Sequence, residues 1–396
     1  MQGFPPPPDA RVTLANWQLP PFQRWSFQHV REVVPTARVS RGSGPHVPFE
    51  EDRADVAATV ISRPDGTSTT VGEVMAATQT DGWLVLRDGR LLTEEYPAGM
   101  PADRTHLLMS VTKSLVGAVA GILIDRGTLD VNATVAAIIP ELAGSGYSGA
   151  TVRHLLDMRS GVVFSEDYLD PKAEVRLLEQ VVGWSPRTDP ALPYAMYDFL
   201  ALLVRGGEHG GAFSYRSCET DMLGWVCERA AGTRMPDLLS GLVWSRLGVE
   251  QDADFAVDAA GAAFHDGGLC TTLRDLARFG QLLLEEGRAA DGQQVVPAWW
   301  IRDSYAGDPD SRGAFAPTVT ETLMPGGMYR NQFWLPYPGR DLLVCLGIHG
   351  QMVYVNPAAR VVGVKLSSWE TPQNSSMLAQ TLAAFDAVAV SVAATG

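Results

Sequence analysis

Strand-like segments lie near both ends of this chain, and helix-like segments fill the region between them. Residues 82–96 hold two apolar runs separated by Asp88-Gly89, a pair typical of a tight hairpin turn. Strand-like patterns return over 342–367. The order predicts an α+β fold, in which an antiparallel sheet flanked by helices is built from both chain ends and carries an inserted, mostly helical domain.

The expected boundaries divide the 396 residues into three parts. Residues 1–50 hold nine prolines and little periodicity, which favours an extended arm lying on the body. Residues 51–125 and 320–396 form the predicted α/β sheet domain, and residues 126–319 form the helical domain. Capping and stop signals predict helices over 110–126, 151–158, 221–231, 272–287, 298–304 and 374–392.

Composition excludes several classes of partner. The formal charge of −14 makes a nucleic-acid or anionic-membrane partner unexpected. The four cysteines show no C-x-x-C spacing and the histidines form no H-E-x-x-H motif, so we expect no metal and no cofactor. The N-terminal residues lack signal-peptide features, and polar residues interrupt the longest apolar run. A cytoplasmic protein is therefore expected.

The strongest chemical signal is Ser110-x-x-Lys113 at the start of an apolar helix. Of the 31 basic residues only Lys113, Lys172 and Lys365 are lysine. Residues i and i+3 share a helix face, so the Lys113 amine can reach the Ser110 hydroxyl and take its proton. Arginine could not, because it stays protonated. We expect burial and nearby cations to lower the pKa of Lys113 from about 10.4 toward 7. The spacing alone would also suit a solvated helix surface.

Two further segments suit the same chemistry. Tyr215 lies just before a helix predicted to begin at Asp221, where its hydroxyl could pass a proton to a leaving group or simply fill a core. The strand Cys345–Ile348 ends in glycine-rich sequence, where Gly347 lets a substrate approach and a backbone N–H can bind an oxyanion. His349 follows this strand and either lines a cleft or braces the strand.

The order Ser110-x-x-Lys113, Tyr215-x-Ser217 and a glycine-bearing strand resembles the serine β-lactamase and penicillin-recognising superfamily, most of all its class C and esterase branch. Within that branch the chain is similar to the hydrolases that act on nylon oligomers. The resemblance extends from about residue 14 to 370. The segments that carry it are NWQLPPFQRWSF, HLLMSVTKSLVG, EDYLDP, GIHGQ and VKLSSW.

The resemblance implies a role for each matched residue. Ser110 would be the acylated nucleophile, Lys113 the base and Tyr215 the proton relay to the leaving amine. The N–H groups of Ser110 and Ile348 would form the oxyanion hole.

The resemblance also implies substrate contacts. Tyr168 would sit on a mobile loop and hydrogen-bond the substrate amide, and Trp334 would line the pocket. Asp266 would either hold a substrate ammonium or cap a loop. The remaining candidate substrate-binding residues are Ser217, Gly347 and His349.

Two positions depart from the superfamily pattern. Ser217 stands where the tyrosine motif usually ends in asparagine, and Cys345 stands where a Lys-Thr-Gly strand begins. The chain therefore lacks the cation that pairs with a β-lactam carboxylate, which argues against β-lactamase or peptidoglycan-peptidase activity.

The motifs predict a serine hydrolase that acts through an acyl-enzyme on Ser110. The resemblance implies that its substrates are small linear amides, such as the 6-aminohexanoate dimer, and short-chain esters. One alternative is a carboxylesterase with little amide activity. Another is a non-catalytic binding or scaffold protein on the same fold. A homodimer is expected only from the resemblance.

Overall fold

A computed structural model describes residues 3–62 and 66–394, so Met1 and Gln2 of the predicted arm lie outside the described residues. The strands in chain order are β1 Thr36–Val39, β2 Val60–Ser62, β3 Ser68–Thr70, β4 Thr80–Arg87, β5 Arg90–Glu95, β6 His106–Leu107, β7 Ala253–Ala256, β8 Leu269–Thr271, β9 Met328–Arg330, β10 Phe333–Leu335, β11 Leu343–Gly347, β12 Gln351–Asn356 and β13 Val361–Ser367.

Most of the helices lie between residues 111 and 315. They are α1 Gln23–Ser26, α2 Val71–Ala77, α3 Val111–Asp125, α4 Val135–Ile138, α5 Val152–Leu156, α6 Glu174–Val181, α7 Met196–Leu202, α8 Ser217–Ala231, α9 Met235–Leu242, α10 Leu273–Leu284, α11 Ala298–Ala306, α12 Ser311–Phe315 and α13 Ser375–Ala393.

The main sheet confirms the α+β prediction. Its seven strands run in the order β5-β4-β13-β12-β11-β10-β9, and every neighbouring pair is antiparallel. Strands β4 and β5 come from the first quarter of the chain and the other five from its last fifth. Strands β11, β12 and β13 lie in the predicted region 342–367, whereas β9 and β10 precede it and were not predicted. The β4–β5 turn is the predicted hairpin: Asp88 (φ 48°) and Gly89 (φ 77°) both adopt left-handed conformations.

Helices cover both faces of this sheet. A Cβ on Gly280 of α10 would lie 2.5 Å from Val362, so α10 packs directly on β13. A Cβ on Gly363 would lie 2.5 Å from the Phe385 ring of α13. Successive strand residues point to opposite faces, so α10 and α13 lie on opposite sides of the sheet.

Helix α3 occupies the centre of the molecule, as its uniformly apolar sequence predicted. Every residue from Val111 to Leu123 is buried. A Cβ on Gly117 would meet the Asn331 carbonyl oxygen at 2.6 Å, and one on Gly121 would meet the Trp300 ring at 2.6 Å. The helix therefore touches its neighbours through its backbone, and this close packing fixes the position of Ser110 and Lys113 at its start.

A second, four-stranded sheet with the order β1-β7-β8-β6 was not predicted. Its strands contain only two to four residues, too few for an alternating pattern to be recognised. The sheet pairs Thr36–Val39 of the arm with Ala253–Ala256. The division into an arm, a sheet domain and a helical domain stays a prediction.

Helix α13 is long and apolar enough to cross a membrane by length and composition alone. In this structure it packs on the sheet through Phe385 and on α2. Its sequence pattern is therefore that of a helix covering one face of a sheet, and the cytoplasmic location stays a prediction.

Candidate active site

Ser110 lies at the N-terminus of α3, immediately before the first helical residue. Met109, just before it, adopts a left-handed conformation with φ 48°, which turns the chain sharply into the helix. The Ser110 side chain lines a cavity, although only 9% of the residue is exposed. The hydroxyl can thus be reached by a ligand while bulk water is largely excluded.

Lys113 is buried beside Ser110, as the i, i+3 spacing predicted. Its Nζ donates hydrogen bonds to Ser110 Oγ at 2.9 Å, to Ser217 Oγ at 3.1 Å and to the Asp266 carbonyl oxygen at 2.7 Å. An ammonium has three N–H groups, and each finds an acceptor here. After loss of one proton, Ser217 and Asp266 can hold the remaining two N–H groups, which leaves the lone pair directed at Ser110.

The prediction that nearby cations lower the pKa of Lys113 is wrong. Burial does lower it, but the opposing negative charges, that of the Tyr215 phenolate at high pH and those of Asp266 and Glu166, outweigh burial and raise the pKa above its usual value. The Asp266 carboxylate lies 3.7 Å from Nζ. Lys113 is therefore an ammonium at neutral pH in the ligand-free protein, and it must lose that proton before it can act as a base.

Tyr215 completes a group of three with Ser110 and Lys113. The Lys113 Nζ lies 5.2 Å from the centre of the Tyr215 ring. Burial raises the pKa of Tyr215, while the Lys113 charge and a hydrogen bond with Ser110 oppose the rise. The phenol is therefore protonated at neutral pH and lies within hydrogen-bonding reach of Ser110. Helix α8 begins at Ser217, not at the predicted Asp221, so Tyr215 is held immediately before a helix.

The end of β11 lies against the segment that precedes Ser110. A Cβ on Gly347 would be only 2.6 Å from the Leu108 carbonyl oxygen, so the backbones approach as closely as glycine allows. Gly347 and Ile348 line the same cavity as Ser110. Ile348, whose N–H is the predicted second oxyanion donor, therefore lies at the same cavity as the nucleophile.

Glu166 is a site residue that sequence reasoning missed. Its Oε1 accepts hydrogen bonds from the Ser217 hydroxyl and from the Tyr168 hydroxyl, the latter at 3.1 Å. Burial raises the pKa of Glu166 to about 7, while Lys113 and Ser217 oppose the rise. The available signal was its place in the segment EDYLDP, two residues before Tyr168, which was singled out instead.

The other predicted substrate-binding residues take different positions. Trp334 lines the cavity and stacks on Tyr215, with ring centres 5.1 Å apart. Tyr168 is buried and directs its hydroxyl to Glu166. Ser217 links Lys113 to Glu166 through its hydroxyl. Asp266 lies beside Lys113 with both its carbonyl oxygen and its carboxylate.

His349 does not take the cleft position predicted for it. Its ring is buried, with Nδ1 donating to the Trp369 carbonyl oxygen at 2.7 Å and the ring packed on Phe27 at 5.1 Å. The prediction of a substrate contact therefore gives way to the alternative that His349 braces the strand.

The cavity has a volume of about 740 Å³, within the range of small-molecule sites. Of the described residues that line it, Glu166 is the one with an ionisable carboxyl group, and none is lysine or arginine. Much of the wall is apolar, including Leu323, Met324 and Leu346. Across the described ranges, no group of three or more His, Cys, Asp or Glu side chains is arranged to hold a metal ion.

The acidic neighbours of Lys113 predict a pH effect. Asp266→Asn removes a negative charge 3.7 Å from Nζ, so the pKa of Lys113 should fall. If neutral Lys113 is the base, activity rises with pH, and a lower pKa moves that rise to lower pH by roughly one unit. The measurement is the pH profile of kcat/KM on a neutral ester. Glu208→Gln, at an exposed position, should leave the profile in place. If the rise of kcat/KM in Asp266→Asn occurred at the same pH as in the unmodified protein, or at a higher pH, the assignment of neutral Lys113 as the base would be contradicted.

Comparisons with known proteins identify relatives of this chain. The chain is 41% identical over 361 residues to a 6-aminohexanoate-dimer hydrolase of Paenarthrobacter ureafaciens, covering 91% of this chain and 89% of that protein. It also matches a structure from Bacillus anthracis provisionally named a 6-aminohexanoate-dimer hydrolase, with 28% identity, a TM-score of 0.86 and 98% of each chain covered.

More distant structures share the fold alone. A family VIII carboxylesterase is 16% identical, with a TM-score of 0.59, and the match covers 86% of this chain and all of that one. The family model named Beta-lactamase matches residues 67–387, which confirms the resemblance inferred from the motifs. The chain therefore belongs to the Beta-lactamase family and is a hydrolase with the β-lactamase-like α+β fold.

Proposed function

We propose that this hydrolase cleaves small linear amides, and short-chain esters, through an acyl-enzyme on Ser110. The observation that carries the proposal is the contact set of Lys113: one N–H on Ser110 Oγ and the others on Ser217 and Asp266. This arrangement holds the amine so that its lone pair, once free, faces the hydroxyl it must deprotonate.

Acylation begins once Lys113 has lost its ammonium proton to solvent. The Ser110 oxygen then forms a bond to the substrate carbonyl carbon while the hydroxyl proton passes to neutral Lys113. The carbonyl oxygen becomes an oxyanion that the N–H groups of Ser110 and Ile348 stabilise. The C–N bond then breaks as Tyr215 gives its proton to the leaving nitrogen, and the Lys113 ammonium returns a proton to Tyr215. In deacylation a water molecule attacks the acyl carbon and gives a proton to Lys113. The C–O bond to Ser110 then breaks, and Lys113 returns that proton to the Ser110 oxygen as the acid product leaves.

The polar groups around the site favour a substrate that carries a cation. Glu166 Oε2 and Asp266 Oδ1 are buried and have no hydrogen-bond partner among the described residues. Glu166 lines the cavity, so a substrate ammonium could contact its free oxygen, while the apolar wall with Trp334 and Met324 suits a chain of methylene groups. An aminoalkanoyl amide such as the 6-aminohexanoate dimer meets both requirements, and the relative from Paenarthrobacter is named for that substrate.

The same cavity disfavours β-lactams. A β-lactam carboxylate needs a cationic partner, whereas Cys345 is buried at the position of the superfamily lysine and no described lining residue is basic. Ser217 is occupied by contacts with Lys113 and Glu166.

A turnover panel tests the proposal. It compares 6-aminohexanoate dimer, p-nitrophenyl acetate, p-nitrophenyl butyrate and a chromogenic cephalosporin. We expect hydrolysis of the dimer and of both esters, with cephalosporin hydrolysis at least about 100-fold slower in kcat/KM. Rapid cephalosporin turnover, or no dimer turnover, would overturn the proposed substrate class.

A carboxylesterase with little amide activity is the second candidate, because the family VIII carboxylesterase shares this fold. Tyr215→Phe separates the two. An amine is a poor leaving group without a proton, whereas p-nitrophenolate leaves unaided. Loss of the Tyr215 proton should therefore lower amide kcat about 10²- to 10⁴-fold and ester kcat much less. Equal losses on both substrates would remove the proton-relay role assigned to Tyr215.

A further inference from the structure

The oxyanion donor at Ile348 depends on how the chain leaves the sheet. Strand β11 ends at Gly347, the next three residues form a single tight turn, and β12 begins at Gln351. The turn places Ile348 at the cavity. A displacement of about 1 Å would take its N–H out of reach of a developing oxyanion. Contacts with neighbouring segments must therefore fix the position of the turn.

The side chain of Gln351 takes the place of a missing backbone pair. In the β12–β13 ladder Met352 pairs with Lys365, so the next hydrogen-bonded pair of an antiparallel ladder would be residue 350 with Ser367. The chain has already turned away at Gly350. Instead, Gln351 Nε2 donates to the Ser367 carbonyl oxygen at 2.7 Å, and the Ser367 N–H donates to Gln351 Oε1 at 3.0 Å.

This amide also reaches the turn itself. Gln351 Nε2 lies 3.3 Å from the His349 carbonyl oxygen and 3.4 Å from that of Ile348. One buried amide group therefore connects the end of β13 to the two residues that follow Gly347. Ser367 is fixed on its other side by buried Lys365, whose Nζ contacts the Ser367 hydroxyl and donates to the Thr78 carbonyl oxygen at 3.0 Å.

His349 holds the turn from the opposite direction. It adopts a left-handed conformation (φ 60°, ψ 16°), which only a few per cent of residues other than glycine take. Its backbone N–H donates to the Pro372 carbonyl oxygen at 2.8 Å, and its Nδ1 donates to the Trp369 carbonyl oxygen at 2.7 Å. Burial lowers the pKa of His349 to about 4, so the ring is neutral. Phe27 of the arm packs against this ring.

We propose that Gln351 and His349 are positioning residues that place the Ile348 N–H for oxyanion binding, without themselves contacting the reacting atoms. The inference rests on the proposed acyl-enzyme function and adds two residues to its machinery. Gln351 replaces the missing backbone hydrogen bonds where the chain leaves the sheet. His349 adopts the left-handed conformation of the turn and is held there by its contacts with Pro372 and Trp369.

The test compares an ester with its thiono analogue, in which sulfur replaces the carbonyl oxygen. Sulfur accepts hydrogen bonds weakly, so thionoester hydrolysis gains little from an oxyanion hole. Gln351→Met keeps the side-chain length but removes the hydrogen bonds to Ser367 and to the carbonyl oxygens of Ile348 and His349. We expect it to lower kcat on p-nitrophenyl acetate about 10- to 100-fold with KM within threefold, and to lower the oxygen-to-sulfur ratio of kcat/KM by about the same factor. Rates are normalised to active sites titrated with a fluorophosphonate.

Two His349 variants provide a second route to the same readout. His349→Asn can adopt the left-handed conformation and can donate to Trp369, so the oxygen-to-sulfur ratio should stay within threefold of the unmodified protein. His349→Val is β-branched and cannot donate, so the ratio should fall. Gln380→Met, the same substitution as Gln351→Met made on the surface of α13, is the matched control and should leave the ratio unchanged.

The outcomes separate this inference from the proposed function. The positioning role alone is overturned if the unmodified chain reacts with the fluorophosphonate and both Gln351→Met and His349→Val have the same oxygen-to-sulfur ratio as the unmodified chain. An unmodified chain that shows neither labelling nor ester turnover overturns the acyl-enzyme proposal, and the positioning role with it.

Discussion

Replacement of Ser110 by alanine should abolish both turnover and covalent labelling. In the proposed mechanism Ser110 Oγ is the atom that bonds to the substrate. Among the described residues, Ser110 is the one serine that both accepts a hydrogen bond from Lys113 and lines the cavity. Loss of an enzyme's nucleophile commonly lowers kcat by roughly 10⁴-fold or more. The measurements are amide and ester turnover and labelling with a fluorophosphonate probe, read by intact-protein mass.

The control is a serine far from the cavity. Ser391→Ala lies on the exposed side of α13 and should react with the probe as the unmodified protein does. The same experiment decides between an enzyme and a non-catalytic member of the fold. Labelling that persists in Ser110→Ala would place the nucleophile elsewhere, and an unmodified protein that never reacts would contradict the acyl-enzyme.

Replacement of Lys113 by arginine should have the second largest effect, with kcat falling about 10³-fold or more on amide and ester alike. Arginine preserves the positive charge among Asp266, Glu166 and Asp221, but it does not give up its proton in proteins. The serine then has no base, so acylation itself slows. The measurement is single-turnover acylation by p-nitrophenyl acetate, which isolates this step from deacylation.

Two controls accompany Lys113→Arg. Lys172→Arg makes the same exchange at an exposed position and should leave acylation unchanged. Thermal unfolding of Lys113→Arg establishes that the larger guanidinium is accommodated in a site where Lys113 is fully buried. A folded Lys113→Arg protein that keeps more than about a tenth of the acylation rate would remove Lys113 from the role of base.

Local spacing predicted the parts of the site that depend on a single helix. Ser110 and Lys113 are three residues apart on one apolar helix, so their contact follows from helix geometry once that helix is recognised. The hairpin at Asp88-Gly89 and the ends of α3 were predictable for the same reason: the signals lie within a few neighbouring residues.

Contacts between distant segments were not predictable. The Ser217–Glu166 hydrogen bond joins residues 51 apart, and nothing near either residue indicates the other. The pKa of Lys113 was misjudged because the acids that raise it come from three separate segments, which contain Glu166, Asp221 and Asp266. The fold that the resemblance implied indicated which segments come into contact, but it did not indicate the net charge around Lys113.

The way in which both chain ends contribute to one sheet has a consequence for folding kinetics. Gln23 donates to the Ser368 carbonyl oxygen across 345 residues of sequence, and Phe27 packs on His349. Contacts of such sequence separation form slowly, because the entropy cost of closing a long loop comes before any stabilising contact is made. A chain emerging from the ribosome holds Ser110 and Lys113 long before β11 exists. Catalytic competence should therefore appear later than helix formation, which makes enzyme activity a reporter of the final stage of folding.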